Sequence, residues 1–228
     1  MRTPAGLDFL QSIANLRRMR GFQKRQLAVL AALGLWLTPG LAPAQGSRPD
    51  LPTESAAPPP DREPAARPDD ATRLEALFAE LAEPGREDWE RVEGEINQIW
   101  SRSGSPAMDL LLRRGNEAME AEDYTAALEH LGALTDHAPD FAEGWNARAT
   151  TFYLMGEYSL AISDVQHVLS LNPRHFGALS GLAFMFEAMD EPELALEALR
   201  AVQALNPNRP NINEAVTRLE QAAGEAEL

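Results

Sequence analysis

Residues 142–175 read AEGWNARATTFYLMGEYSLAISDVQHVLSLNPRH, and the spacing of small and large side chains within these 34 positions decides the fold. Counted from Ala142, Trp145 stands fourth, Ala149 eighth, Phe152 eleventh, Gly156 fifteenth and Tyr158 seventeenth; Ala161, Val165, Val168 and Pro173 follow at positions 20, 24, 27 and 32. Moving the window 34 residues toward the N-terminus puts Leu111, Gly115, Ala118, Glu122, Tyr124, Ala127, Leu131, Leu134 and Pro139 in the same places. Moving it 34 residues the other way gives Leu179, Ala183, Phe186, Asp190, Pro192, Ala195, Leu199, Val202 and Pro207. Three copies therefore run without a gap from Met108 to Arg209, and a period of this length marks a stack of repeated helical units.

Each repeated position has a physical reason. Small residues at position 8 (Gly115, Ala149, Ala183) and position 20 (Ala127, Ala161, Ala195) let the two helices of one unit, A and B, approach where larger side chains would hold them apart. The proline at position 32 ends helix B, because it has no amide donor and disfavours a helical residue before it. These residues resemble the tetratricopeptide repeat (TPR), whose pattern runs from a tryptophan or leucine through a small residue and an aromatic to an alanine, an apolar residue and a proline. Position 15, where glycine is common in that family, holds Glu122 and Asp190 in the outer copies, which bears on the local turn alone. The resemblance implies an all-α fold, a right-handed α-solenoid of three helix-turn-helix repeats at 108–141, 142–175 and 176–209.

Outward from the repeats, Asp70 offers an N-cap before Leu74, Leu77, Phe78 and Leu81, which share one helical face. A second helix, about 86–102, carries Trp89, Val92, Ile96, Ile99 and Trp100 in one stripe. The 34-residue shift puts Pro84 where an aromatic belongs and Glu93 where a small residue belongs, so segment 72–107 reads as an antiparallel N-terminal capping pair, not a fourth repeat. Segment 210–228 reads as a C-terminal capping helix and tail, with Ile212, Val216 and Leu219 inward and Thr217, Arg218, Glu220 and Gln221 outward.

Segment 45–71 contains Pro49, Pro52, Pro58, Pro59, Pro60, Pro64 and Pro68 and reads as a disordered proline-rich linker. Segment 1–44 reads as a signal peptide: Lys24-Arg25 precedes the apolar run Leu27–Leu37, and Ala42-Pro43-Ala44 supplies a cleavage site. Eleven apolar residues are too few to cross a bilayer core, which needs roughly 20. A retained anchor is the alternative, and Met19 is an alternative start.

Removing 1–44 takes six of the 20 basic residues and one of the 35 acidic ones, which leaves 14 against 34 and a net charge of −20. Such a chain repels nucleic acid and anionic membrane, both of which are bound by neutralising phosphate. The absence of cysteine excludes disulfides and thiolate metal sites. No two of His130, His137, His167 and His175 are spaced as a helical ligand pair, and no nucleophile elbow or phosphate loop occurs, so neither a cofactor nor an enzymatic reaction is expected.

The resemblance also implies a working surface. In this family the concave face is lined by helix A positions 2, 5, 9, 12 and 13. Here the uncharged subset forms the expected peptide-binding groove: Leu112, Asn116, Met119, Asn146, Thr150, Tyr153, Ser180 and Phe184. Asparagine side chains both donate to and accept from a peptide backbone, and the aromatic and aliphatic ones pack its side chains. Leu112, Leu154 and Phe184 have a second reading as contacts to neighbouring helices. Family members that capture an acidic C-terminus use Lys and Arg at positions 2, 5 and 6; here Leu112, Gly177 and Gly181 stand at such places, and Arg113 is the one basic candidate. Glu120, Glu143 and Glu187 favour neutral or basic peptides instead. The expected function is a secreted, periplasmic scaffold that holds a segment of a client protein. The alternatives are a structural module that self-associates into a homo-oligomer and a cytochrome c maturation helper that binds apocytochrome.

Overall fold

The computed structural model describes residues 68–226, and among them there are nine helices and no strand. The signal segment and the linker through residue 67 lie outside the described residues. Helix α1 (Pro68–Leu81) begins within the segment read as linker, and Asp70 sits in its first turn rather than at its cap. Proline is favoured at a helix start, where its missing N–H is not needed, and Asp69 and Asp70 complement the positive end of the helix dipole.

The three repeats supply A helices α3 (Pro106–Glu120), α5 (Ala142–Leu154) and α7 (Phe176–Ala188) and B helices α4 (Tyr124–His137), α6 (Tyr158–Leu171) and α8 (Pro192–Leu205). The small residues stand where A and B cross. Ala127, Ala161, Ala183 and Ala195 are fully buried, Ala149 nearly so, and a Cβ added at Gly115 would lie 2.5 Å from the Leu131 side chain. Successive A helices come closer to one another than the B helices do, so the A helices line the inner side of the stack.

Each A helix ends with a residue in the left-handed region at position 15: Glu122 (φ 58°), Gly156 (φ 77°) and Asp190 (φ 61°). In all three turns the next N–H reaches back five residues, Asp123 to Ala118, Glu157 to Phe152 and Glu191 to Phe186, each at 2.9 Å. This arrangement satisfies the open carbonyls of the helix end. Before the prolines, Ala138, Asn172 and Asn206 leave helical geometry with φ of −134°, −138° and −140°, the extended conformation that a following proline imposes.

An ion pair between a half-buried arginine and a buried aspartate ties the second repeat together. Arg148 on α5 donates from Nε and Nη2 to the two carboxylate oxygens of Asp164 on α6, at 2.7 and 2.8 Å, and from Nη1 to Thr135 Oγ1 on α4 at 2.8 Å. The Asp164 carboxylate raises the guanidinium further above its ordinary range. The same guanidinium lies 4.6 Å from the centre of the Trp145 ring.

Helices α1 and α2 (Trp89–Trp100) run antiparallel and bury Leu77, Phe78, Leu81, Val92 and Ile96 between them. The pair departs from a cap placed ahead of the first repeat, since neither helix stacks on α3 or α4 as the repeats stack on each other. It lies instead against the turns that follow repeats 2 and 3. Trp100 stacks on His175 with centroids 4.5 Å apart and packs on Phe176 at 5.0 Å, while Arg174 covers the Phe78 ring at 4.1 Å and pairs with Glu75. At the other end Asn206 Nδ2 donates to Glu93 Oε1 at 2.9 Å. The physical reason is that Phe78 and Trp100 leave an aromatic patch on the pair, and His175 and Phe176 complement it. Helix α9 (Pro210–Ala226) closes the stack against α8, burying Ile212, Val216 and Leu219 and exposing Thr217, Arg218, Glu220 and Gln221.

Candidate functional site

The A-helix face holds part of the expected groove and excludes the rest. At position 9, Asn116 is half-buried, Thr150 is exposed and Phe184 is 47% exposed. At position 12, Tyr153 is 36% exposed and Met119 is half-buried against the core of repeat 1. Leu154 and Met155 add exposed apolar surface beside Tyr153. Together these residues present two large rings on a face that also carries aliphatic side chains, amides and a hydroxyl. An exposed ring is a large rigid surface for a partner's side chains.

Two of the expected groove residues are corrected. Leu112 is buried in the cluster of Ala127, Leu131, Leu134 and Phe141, so it closes repeat 1 instead of facing a client. Ser180 is also buried, and its Oγ has no hydrogen-bond partner among the described residues. Both stand at position 5. Leu154 and Phe184 resolve the other way, remaining open.

At position 5 of the middle repeat, Asn146 stays half-buried and donates from Nδ2 to Glu143 Oε1 at 3.3 Å. Glu143 also meets His175, whose Nε2 lies 3.1 Å from Oε2. His175 is the N-cap of α7, and its Nδ1 accepts the Ala178 N–H at 3.1 Å. Nδ1 is therefore the unprotonated nitrogen, and the ring donates from Nε2 to the carboxylate. The ring is held flat against Trp100, so one buried side chain joins the α2 end, the start of α7 and the carboxylate of α5.

These residues border a cleft of about 550 Å³ between α2 and the starts of α5 and α7. Sequence reasoning missed the α2 side of it. The signal was present: Gly94, Asn97, Gln98 and Ser101 fall at i, i+3, i+4 and i+7, an uncharged polar stripe opposite the apolar one. Nothing in the repeat register shows where that stripe docks. Asp109, at position 2 of the first repeat, turns away from the face, its Oδ1 accepting the Ser103 N–H at 2.8 Å. Arg113, the one basic candidate, is exposed and lies 3.7 Å from Glu117. Among the described residues no arginine borders the cleft.

No protein-family model matches the chain. It is 37% identical over 154 residues to a TPR repeat-containing protein of Rhizobium etli, an alignment that covers 67% of this chain and 76% of the relative. It is 32% identical over 133 residues to the small glutamine-rich tetratricopeptide repeat-containing protein 2 of Saccharomyces cerevisiae, covering 58% of this chain and 38% of that protein. Among solved structures, the first TPR of Spaghetti (RPAP3) bound to HSP90 peptide SRMEEVD superposes with a TM-score of 0.50 at 22% identity, over 53% of this chain and 95% of the other. With helices paired at small residues, left-handed turns at position 15 and prolines after each B helix, the chain belongs to the tetratricopeptide-repeat family.

Proposed function

We propose that the chain is a peptide-binding adaptor that holds a non-acidic segment of a client protein on its A-helix face. The observation that carries this reading is the exposure of Tyr153 and Phe184 on a face that also offers Asn116, Asn146 and Thr150. Burying large rings drives association, and the polar side chains supply partners for a peptide main chain. The similar structure from Spaghetti holds an acidic peptide, SRMEEVD. In this chain Glu143 and Glu187 stand at helix A positions 2 and 12, and Arg113 lies beside Glu117. Like charge disfavours an acidic ligand here.

The test is fluorescence anisotropy with labelled SRMEEVD and with its amide counterpart SRMQQVN. The amide peptide is expected to bind better, and replacing Tyr153 and Phe184 by alanine is expected to abolish that binding. Tighter binding of SRMEEVD would overturn the charge reading. We further propose that the protein works in the periplasm as an assembly or chaperone-type scaffold; the support is the basic segment, apolar run and Ala42-Pro43-Ala44 of residues 1–44. N-terminal sequencing of protein recovered from a periplasmic fraction is expected to begin at Gln45, and recovery only from the cytosol would reject that location.

A further inference from the structure

We propose that the cleft between α2 and the starts of α5 and α7 is a second subsite, which takes an extended, non-acidic stretch of the client's main chain. The inference rests on the peptide-binding reading above and adds a wall that the repeats do not supply. Its volume of about 550 Å³ lies inside the range of ligand pockets, ~300–1,000 Å³.

The chemistry of the α2 wall points to a main chain. Asn97 and Gln98 are exposed on it, and among the described residues no partner engages their side-chain amides. Each amide offers a donor and an acceptor together, the combination that pairs with a peptide group. Asn146 provides a third amide from α5 across the gap.

Two glycines give an independent indication. Gly94 sits in the middle of α2, where glycine weakens a helix relative to alanine. Packing does not require it, since a Cβ placed there would meet nothing within 4 Å. Gly177 lies on the opposite wall, where a Cβ would approach only the His175 ring, at 3.4 Å, an ordinary contact. Glycine at facing positions leaves room for another backbone to come close. Among the described residues Glu143 is the cleft's one carboxylate, held in place by His175 and Asn146, and no lysine or arginine lines the cleft to offset it, so an acidic segment is disfavoured.

The experiment uses the full chain and labelled nine-residue peptides of an Ala/Ser/Leu background carrying net charge +3, 0 or −3. Fluorescence anisotropy is measured for the unmodified protein, Gly94→Gln, Asn97→Ala/Gln98→Ala and Tyr153→Ala/Phe184→Ala, with thermal melts of each. The neutral and basic peptides are expected to bind. Gly94→Gln, which projects a side chain into the cleft, is expected to weaken binding about tenfold, the equivalent of one or two lost hydrogen bonds. Its melting temperature should be unchanged or higher, because glutamine is the better helix former. The Asn97→Ala/Gln98→Ala variant should weaken binding similarly. If both α2 variants bind as the unmodified protein does while the Tyr153/Phe184 variant loses binding, the subsite is wrong and the A-helix face stands. If only the α2 variants lose binding, the subsite stands and the aromatic face falls. Binding of the −3 peptide in preference to the others, or no binding of any peptide, overturns the proposal.

Discussion

Asn208 holds the backbone of Gly85 from 123 positions away: its Oδ1 accepts the Gly85 N–H at 2.8 Å and the Arg86 N–H at 3.1 Å. Its Nδ2 donates to Leu81 O at 3.2 Å and Glu83 O at 2.9 Å. One side chain at the end of the third repeat thus satisfies four main-chain groups in and beside the turn between α1 and α2. The N-terminal pair is clasped there and by Trp100 on His175 at its other end.

Replacing Asn208 by alanine removes those bonds and leaves their partners to water. At roughly 0.5–1.5 kcal/mol net for each bond, discounted for the exposure of the turn, a loss of about 2 kcal/mol is expected. Urea denaturation measures it. Limited proteolysis should show new cleavage confined to residues 68–105, and uniform cleavage along the whole chain would contradict a local clasp.

Asp164 is buried and shares its two oxygens with Arg148. Asp164→Ala leaves a half-buried guanidinium with Thr135 as its remaining partner, and a destabilisation of about 3 kcal/mol is expected, the low end for a buried pair. The double variant Arg148→Met/Asp164→Leu should recover most of it, because the uncompensated charge is gone. Equal losses for the single and double variants would show that packing, not charge, accounts for the effect.

Glu122 and Asp190 adopt positive φ without being glycine, whereas Gly156 fills the same position in the middle repeat. The left-handed conformation costs a residue with a Cβ about 1–2 kcal/mol. Glu122→Gly and Asp190→Gly are each expected to raise stability by about 0.5–1 kcal/mol after the added chain entropy of glycine, and Gly156→Ala to lower it by a similar amount. A guanidinium titration of the three variants checks the sign.

Gly115→Ala tests the closest helix crossing. The added methyl meets Leu131 at 2.5 Å in a filled core, and overpacking of this kind costs about 1–3 kcal/mol. A variant as stable as the parent would mean that α3 and α4 move apart freely. A smaller side chain at the partner, Leu131→Val, should restore part of the loss in the double variant.

Acid should loosen the N-terminal pair. Arg174 holds Glu75 below its ordinary carboxylate range, Arg91 and Arg86 do so for Asp88, and Arg73 and Arg91 for Glu95. Because the folded values are depressed, the stabilisation is present above about pH 4–5, where the unfolded groups are ionised, and is lost as pH falls through the folded values. Tryptophan fluorescence of a Trp36→Phe/Trp145→Phe variant, which leaves Trp89 and Trp100 as the reporters, is expected to be flat from pH 8 to 6 and to change below about pH 4. A transition centred near neutrality would contradict this assignment.

The repeats were legible in the sequence because their determinants are local and recur. A small residue at positions 8 and 20 and a proline at 32 act through sterics and a missing N–H, and neither depends on a distant partner. The turns at Glu122 and Asp190 were legible as departures, and their backbone shows how the chain tolerates them. The open or closed state of Leu112, Ser180, Tyr153 and Phe184 was not legible, because the same repeat position is covered or bare according to which helix lies beside it.

The sequence by itself determined that helices pair every 34 residues and that a proline follows each B helix. Only the tertiary structure decided where α1 and α2 dock. Periodicity governs contacts between neighbours in the chain, and nothing periodic relates Trp100 to His175 or Gly85 to Asn208. Those contacts arise from complementary shapes and donor sets that meet once, across 75 and 123 positions, and a site that spans them exists only after the chain has folded.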